Sequence, residues 1–240
     1  MHVYPVNKIA GANIIGNTLS YSDIRNVYHK YLKHRAYFPT NVNPVIEIKW
    51  NEPISADTII IGDTNCVNAL LHINYDNGTE AFEEVIFNKD VFTFIEKETI
   101  RKLESIKIDF TARDNEQPYI GYIFTGNKVI IPRFLVEPQW ETVIRGTSER
   151  TNYGHAFGNI LPTLERFAAN FMRIPDDEKK TVDDYIQSVQ TVIPHIIDPY
   201  YEARDKVPPR YATLNKGISP TKRNERDFYW NFDLEWMEAR

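Results

Sequence analysis

The sequence is poor in the residues and runs that mark several classes of protein. Its 240 residues include one cysteine, Cys66, so the chain offers neither a disulfide framework nor a cysteine-ligated zinc site. No apolar run approaches the ~18 residues of a membrane span. The segment Met1–Pro5 lacks the basic and then apolar layout of a secretion signal. We therefore expect a soluble protein with no membrane partner, made in a reducing compartment, in which Cys66 is a small buried apolar residue.

Positive charge is also scarce. The chain carries 28 Lys and Arg against 33 Asp and Glu, a formal net charge of −5, and the acidic excess is spread over both halves. Neither half has the basic footprint that nucleic acid requires. The basic run Lys222–Arg226 is short and contains an acidic residue, which is typical of a solvated loop. We expect no sequence-specific nucleic-acid partner.

Aromatic residues, in contrast, are plentiful at 13%, enough to bury a substantial core. Residues 1–38 are typical of an extended lead-in with early strands. Beyond them, short alternating or continuous apolar runs at regular spacing indicate an antiparallel β-sandwich. The predicted strands are Val45–Trp50, Thr58–Ile61, Ala69–Tyr75, Phe82–Phe87, Val91–Ile95, Ile106–Phe110, and a tight hairpin of Tyr122–Phe124 with Val129–Ile131. Asp76–Gly78 is a hairpin-turn signal that predicts a positive φ at Gly78.

The pattern changes after the segment Pro132–Pro138. Apolar residues of Leu164–Met172 recur with a helical period, and a second helical pattern opens at the acidic group Asp176–Glu178, whose charge suits a helix N-terminus. The predicted strands here are Trp140–Arg145, His195–Ile197, Tyr211–Leu214 and Phe228–Trp236. The fold class predicted is mainly β with an α+β second part: an antiparallel β-sandwich over residues 1–135, followed by a β–α–α–β domain over residues 136–240.

The search for chemistry finds no catalytic, cofactor-binding or metal-binding residues. The histidines His2, His29, His34, His72, His155 and His195 show no metal-ligand spacing. Ser148 and Ser219 lie in no nucleophile elbow, and Gly154–Gly158 lacks the lysine of a phosphate loop. We therefore predict a protein that is not an enzyme and needs no cofactor. The aromatic residues Trp140, Tyr200 and Tyr201 suit sugar stacking, a core or a contact between subunits.

Residues 45–131 resemble galactose-binding-like (discoidin-type) β-sandwiches. The similarity lies in the strand Val45–Trp50, in Ile54–Ile61 with the turn Gly62–Asn65, in Leu70–Tyr75 with its hairpin, and in Tyr119–Gly126. This resemblance implies a jelly-roll sandwich and a possible glycan partner, although many members of that superfamily serve only as structural or docking modules. It identifies no sugar-binding residues.

Residues 123–240 resemble structural proteins of tailed-bacteriophage virions, from the tail or the head–tail junction. The similarity lies in the segment that leaves the predicted hairpin, Gly126–Pro132, and in Arg145–Gly158, Phe167–Met172, Pro194–Pro199 and Asp227–Trp236. This resemblance implies a non-enzymatic virion component, made in the host cytoplasm and assembled with itself as a ring or connector beside other virion proteins. The alternative is a carbohydrate-binding module that acts in attachment to a host surface, and a hydrolase with dispersed catalytic residues ranks last.

Overall fold

The structure is a computed structural model, and it is mainly β with antiparallel sheets, as the sequence predicts. It describes residues 1–20, 22–29, 34–87, 92–132, 139–143, 146–150, 156–160, 164–204, 206–216 and 229–239. Contacts divide these residues into two compact units. The sandwich unit comprises residues 2–129 and 198–209, and the helix unit comprises Met1, residues 130–197 and residues 210–239. The predicted boundary at residue 135 lies outside the described residues.

The sandwich unit is built on two unusually long strands. Its strands are β1 (His2–Tyr4), β2 (Ala12–Gly16), β3 (Ala36–Tyr37), β4 (Val45–Thr64), β5 (Asn68–Tyr75), β6 (Glu80–Ile86), β7 (Thr93–Thr111) and β8 (Tyr119–Gly126). Two 3-10 helices, Lys8–Gly11 and Ile24–Tyr28, lie between the early strands. The main sheet runs β3-β8-β4-β7-β5-β6, and β2 pairs with the first half of β4.

The long pair β4–β7 bends over a single core. Its register shifts between Lys49 and Ile54 and again between Ala56 and Thr58. Side chains before and after these shifts, such as Ile48 and Ile61, belong to one buried apolar cluster. The sequence predicts two separate strands in β4 and two in β7. Each pair is one strand, because the breaks in periodicity are bulges at which the strand bends and continues.

Two turns test the sequence signals of this unit. Gly78 has φ 76° between β5 and β6, and its N–H donates to the Tyr75 carbonyl at 3.0 Å, which confirms the predicted hairpin. The second predicted hairpin is wrong: β8 lies between β3 and β4, and β9 (Val129–Ile130) is not its partner. Residue Ile131 instead exchanges backbone hydrogen bonds with Met1.

The helix unit combines an antiparallel sheet with one helix. Its strands are β10 (Gln139–Val143), β11 (Gly146–Arg150), β12 (Ala156–Ile160), β13 (Leu164–Ile174), β14 (His195–Asp198), β15 (Arg210–Lys216) and β16 (Trp230–Glu238), and its helix is α1 (Asp176–Val189). The sheet runs β10-β13-β16-β15-β14, while β11 and β12 form a separate hairpin. This sheet buries Phe232, Leu234 and Trp236, as the predicted alternation of the last strand requires.

The first predicted helix of this region is wrong, so the described residues of the unit form one helix and not the two of a β–α–α–β domain. Leu164–Ile174 is strand β13, in which Phe167, Ala169 and Phe171 are buried and the residues between them are exposed. The helical reading required Ala168 on the buried face. Because Phe, Ala and Leu occur here at spacings that fit both periods, pairing with β16 decides the structure. The second predicted helix is confirmed, with all three acidic residues in the first turn of α1.

Candidate functional site

Polar and aromatic side chains gather where both ends of β4 meet the loop between β7 and β8. Near the start of β4, the Asn43 side-chain oxygen accepts a hydrogen bond from the Ala112 N–H at 3.0 Å. At its end, the Thr64 hydroxyl donates to the Tyr119 carbonyl at 2.8 Å. We call this region, formed by residues 35–37, 63–65 and 112–121, the loop end. The pairing of β8 with β3 and with the end of β4 therefore brings residues far apart in the sequence to one place.

The centre of the loop end is an arginine–aspartate pair. The Arg35 Nε donates to Asp63 Oδ2 at 2.8 Å, and its Nη2 donates to Asp63 Oδ1 at 2.7 Å. These hydrogen bonds raise the pKa of Arg35, so that it stays charged. The two side chains are 32% and 16% exposed, so part of each reaches solvent. A bidentate pair of this kind fixes the orientation of both planar groups.

The backbone conformation at Asp63 and the absence of a side chain at Gly121 leave space for this pair. Asp63 has φ 52°, in the left-handed region that non-glycine residues rarely adopt. On the neighbouring strand, a side chain at Gly121 would collide with Asp63, because a Cβ there would lie 2.2 Å from its Oδ2. A left-handed aspartate held beside a glycine in a partly exposed polar cluster makes this position a candidate functional site.

Two tyrosine rings form the wall of the cluster. The Arg35 guanidinium carbon lies 4.1 Å from the centre of the Tyr119 ring, and the Tyr37 ring lies 6.0 Å from that of Tyr119. Pairing between Tyr37 and Tyr119 places both rings at the start of β8. The Asn65 side chain accepts from the Tyr119 N–H at 2.8 Å and donates to the Gln117 carbonyl at 2.9 Å, which fixes the loop beneath them.

This arrangement can bind a polar, uncharged ligand. The charges of Arg35 and Asp63 cancel, while the guanidinium retains N–H donors and the carboxylate retains lone pairs beyond those in the pair. The rings offer an apolar surface beside these polar groups. Convergent polar groups next to aromatic rings are the usual make-up of a small-molecule site.

A second charged cluster in the sandwich unit is more deeply enclosed. Arg204 donates to Asp198 at 2.5 Å, to Glu96 at 3.0 Å and to the Tyr4 hydroxyl at 3.1 Å, and its guanidinium carbon lies 3.8 Å from the Phe94 ring centre. Burial acts to raise the pKa of Glu96, but the neighbouring Arg204, Tyr4 and His2 outweigh it and lower that pKa to about 2. These contacts hold residues 198–209, which the sequence assigns to the second domain, in the sandwich unit.

The residues that the sequence singles out are dispersed. Tyr201 stacks on His2 at 4.0 Å, and the side chain of Trp140 lies outside those described, as do His155, Ser219 and Lys222–Arg226. The rings of His29 and His34 stack on each other with their centres 4.1 Å apart. No group of three or more His, Cys, Asp or Glu among the described residues is placed to hold a metal ion.

Cys66 has the buried role that the sequence predicts, and His195 is also buried. Cys66 is buried, which raises the pKa of its thiol to about 11. His195 lies inside the helix unit, where its Nε2 is 2.6 Å from the Tyr185 hydroxyl and its Nδ1 is 3.0 Å from the Ile193 carbonyl. The Trp236 Nε1 donates to the same hydroxyl at 2.8 Å, and burial lowers the pKa of His195 to about 4.

None of the helices described is long and apolar enough to cross a membrane.

The sequence analysis missed Arg35 as a site residue. It places Arg35 only in the lead-in of residues 1–38, although it names the turn Gly62–Asn65 and the segment Tyr119–Gly126 that supply the other groups. The available signal was the aspartate in that turn together with Gly121 between two tyrosines, which together indicate a crowded position.

No family model matches the chain, and no curated protein does. Solved structures similar to part of it include a family 32 carbohydrate-binding module of C. perfringens NanJ in complex with galactose (10% identity, TM-score 0.42, covering 52% of this chain and 98% of that chain). Others are the lectin domain of lectinolysin complexed with Lewis B antigen (9%, 0.44, 52% and 99%) and a Ruminococcus gnavus GH29 fucosidase in complex with fucose (16%, 0.46, 52% and 27%). At these scores the likeness carries no inference about a ligand. None of the three is a virion protein, and the virion role and its ring assembly stay predictions.

Proposed function

We propose that the sandwich unit is a carbohydrate-binding module and that its site is the loop-end cluster of Arg35, Asp63, Tyr37 and Tyr119. The observation that carries the proposal is the partly exposed Arg35–Asp63 pair held against the Tyr119 ring. A neutral sugar presents adjacent hydroxyls, each a donor and an acceptor, and an apolar face of C–H groups. The pair offers donors and acceptors side by side, and the tyrosine rings offer the apolar surface.

Preorganisation favours the same ligand class. The bidentate pair, the Tyr119 ring and the hydrogen bonds of Asn65 hold the polar groups in place before a ligand arrives. A binding site fixed in this way loses little side-chain entropy when it binds, which matters for a sugar, whose hydroxyls exchange water for protein at little net gain.

The test is a glycan array on the full chain, followed by titration calorimetry with the sugar that binds. Arg35→Gln and Asp63→Asn should each weaken binding by about tenfold or more, since each leaves a polar partner unpaired. The matched control is Arg25→Gln, because Arg25 forms a similar pair with Asp23 in the same unit but is 72% exposed. Absence of any bound glycan, or equal loss in the control, would overturn the proposal.

The proposed role is binding without turnover. Purified protein should therefore leave glycosidase, esterase and nuclease substrates unchanged. Turnover that persists through further purification and disappears with one point substitution would contradict this part of the proposal.

A further inference from the structure

Strand β6 ends the order of the sandwich sheet, so in the described part of the chain it has β5 as its one neighbouring strand. Backbone N–H and C=O groups along its other side therefore have no strand to pair with there. A strand edge of this kind is a template for another strand unless something opposes the pairing.

The surface beside this edge is apolar to an unusual degree. Phe82 and Ile86 of β6 are 59% and 73% exposed, and Leu70 of β5, which lies opposite Glu84 between them, is also exposed. The residues between, Ala81 and Val85, pack against the core. A strand added to β6 would cover the exposed side chains on one face and extend the core on the other.

The charge of the edge is acidic. Glu80, Glu83 and Glu84 are three of the seven residues of β6, which has no basic residue. Glu83 is paired with Lys97 of β7. Glu80 and Glu84 are exposed on the same face as Phe82. An incoming strand therefore meets two carboxylates and an aromatic ring on one face.

A second copy of β6 is a poor match for this edge. When two copies pair antiparallel with complete overlap and matched faces, Glu83 lies opposite Glu83. Faces stay matched when one copy slips by two residues. A slip in one direction then places Glu84 opposite Glu84, and a slip in the other direction places Glu80 opposite Glu84. Like charges directly opposite each other on neighbouring strands are destabilising.

From this charge complementarity we propose that β6 is a docking edge for an extended segment of another polypeptide, one that alternates basic and apolar residues. The segment adds to the sheet as a strand antiparallel or parallel to β6. Its basic side chains lie on the exposed face beside Glu80 and Glu84, with their aliphatic stems over Phe82 and Ile86. Its apolar side chains lie on the opposite face beside Ala81 and Val85, and its backbone pairs with the edge.

The test uses the full chain and a synthetic peptide of alternating lysine and valine with blocked ends. Binding is measured by titration calorimetry, and the amides of β6 are followed by NMR hydrogen exchange. We expect binding that weakens as salt is added, together with slower exchange in β6. Replacement of both Glu80 and Glu84 by Lys should weaken binding by about tenfold or more. Phe82→Ser should weaken it through loss of apolar contact.

Three controls make the proposal falsifiable. The pair Glu98→Lys and Glu104→Lys changes the same net charge at exposed positions of β7 and should leave binding unchanged. A glutamate–valine peptide should not bind. A lysine–valine peptide that is N-methylated throughout keeps its charge but cannot donate backbone hydrogen bonds, and it should not bind either. Equal binding by the methylated peptide, equal loss in the β7 variant, no binding at all, or self-association of the chain through β6 would each overturn the proposal.

Discussion

Gly78 is the residue at which a sequence signal and a backbone angle agree most directly. Its φ of 76° is open to glycine and strained for other residues, and no atom lies near the position of an added Cβ. Gly78→Ala should therefore destabilise the sandwich unit by about 1 kcal/mol through the backbone alone. Thermal or urea unfolding measures this change. Gly11→Ala is the control, because Gly11 has equal space and no positive φ, and equal effects of the two changes would contradict the turn assignment.

Glu96 gives a prediction about pH. Its pKa in the folded chain, about 2, lies below the ordinary value of 4.5, so its ionised form stabilises the fold. That contribution is complete above about pH 4.5 and is lost as the pH falls toward 2. The free energy of unfolding of the wild type should therefore exceed that of Glu96→Gln at neutral pH, and the difference should disappear in acid.

Chemical unfolding of both proteins across that range checks this prediction. The difference between the two free energies of unfolding reports on Glu96 and not on Asp198, which both proteins contain. Burial raises the pKa of Asp198, so its own contribution to stability grows as the pH falls. A difference that stays constant with pH would mean that Arg204 does not stabilise the Glu96 carboxylate in solution.

Among the elements, α1 and β16 could be predicted from sequence and β13 could not. The helix has acidic residues at its start and one apolar face, and the last strand alternates over its whole length, so each fits one period only. In β13 the residues fit both periods, and the answer depends on its neighbours β10 and β16. A local pattern cannot supply that information.

Two neighbouring alanines in β13 test whether this segment is a strand or a helix. In the strand Ala169 is buried and Ala168 is exposed, whereas a helix would bury Ala168 with Phe167 and Phe171. Ala169→Lys should therefore destabilise the helix unit by about 3 kcal/mol or more through burial of a charge, and Ala168→Lys should have a small effect. Unfolding monitored by the near-ultraviolet signal of the tryptophans reports the difference. A larger destabilisation by Ala168→Lys than by Ala169→Lys would instead support the helical prediction.

At the scale of the whole molecule, the sequence predicts the sandwich but not its site. Arg35, Asp63 and Tyr119 come from three separate segments, and they meet because β8 pairs with β3 on one side and with the end of β4 on the other. Periodicity identifies which residues face a core, but it does not give the order in which distant strands pair. The resemblance to galactose-binding-like sandwiches supplied the architecture and no residue of the site.

Assembly is the last property for which residues and fold together give a prediction. The alternation of large apolar residues along Phe228–Trp236 predicts that residues 140–240 carry self-assembly and that this last strand is central to it. In the structure β16 lies between β13 and β15 and so has no open edge in the described residues. Strand β6 does have an open edge, but its glutamates oppose pairing with a second copy.

Removal of that charge should therefore create an association that the wild type lacks. With Glu80, Glu83 and Glu84 all changed to Gln, the apolar residues Phe82 and Ile86 remain at an edge with no like charges to keep copies apart. Light scattering over a range of concentrations should show larger particles for this variant than for the wild type. A matched variant with Glu47, Glu98 and Glu104 changed to Gln has the same net charge and should behave as the wild type does. If both variants associate equally, net charge and not the β6 edge keeps the copies apart.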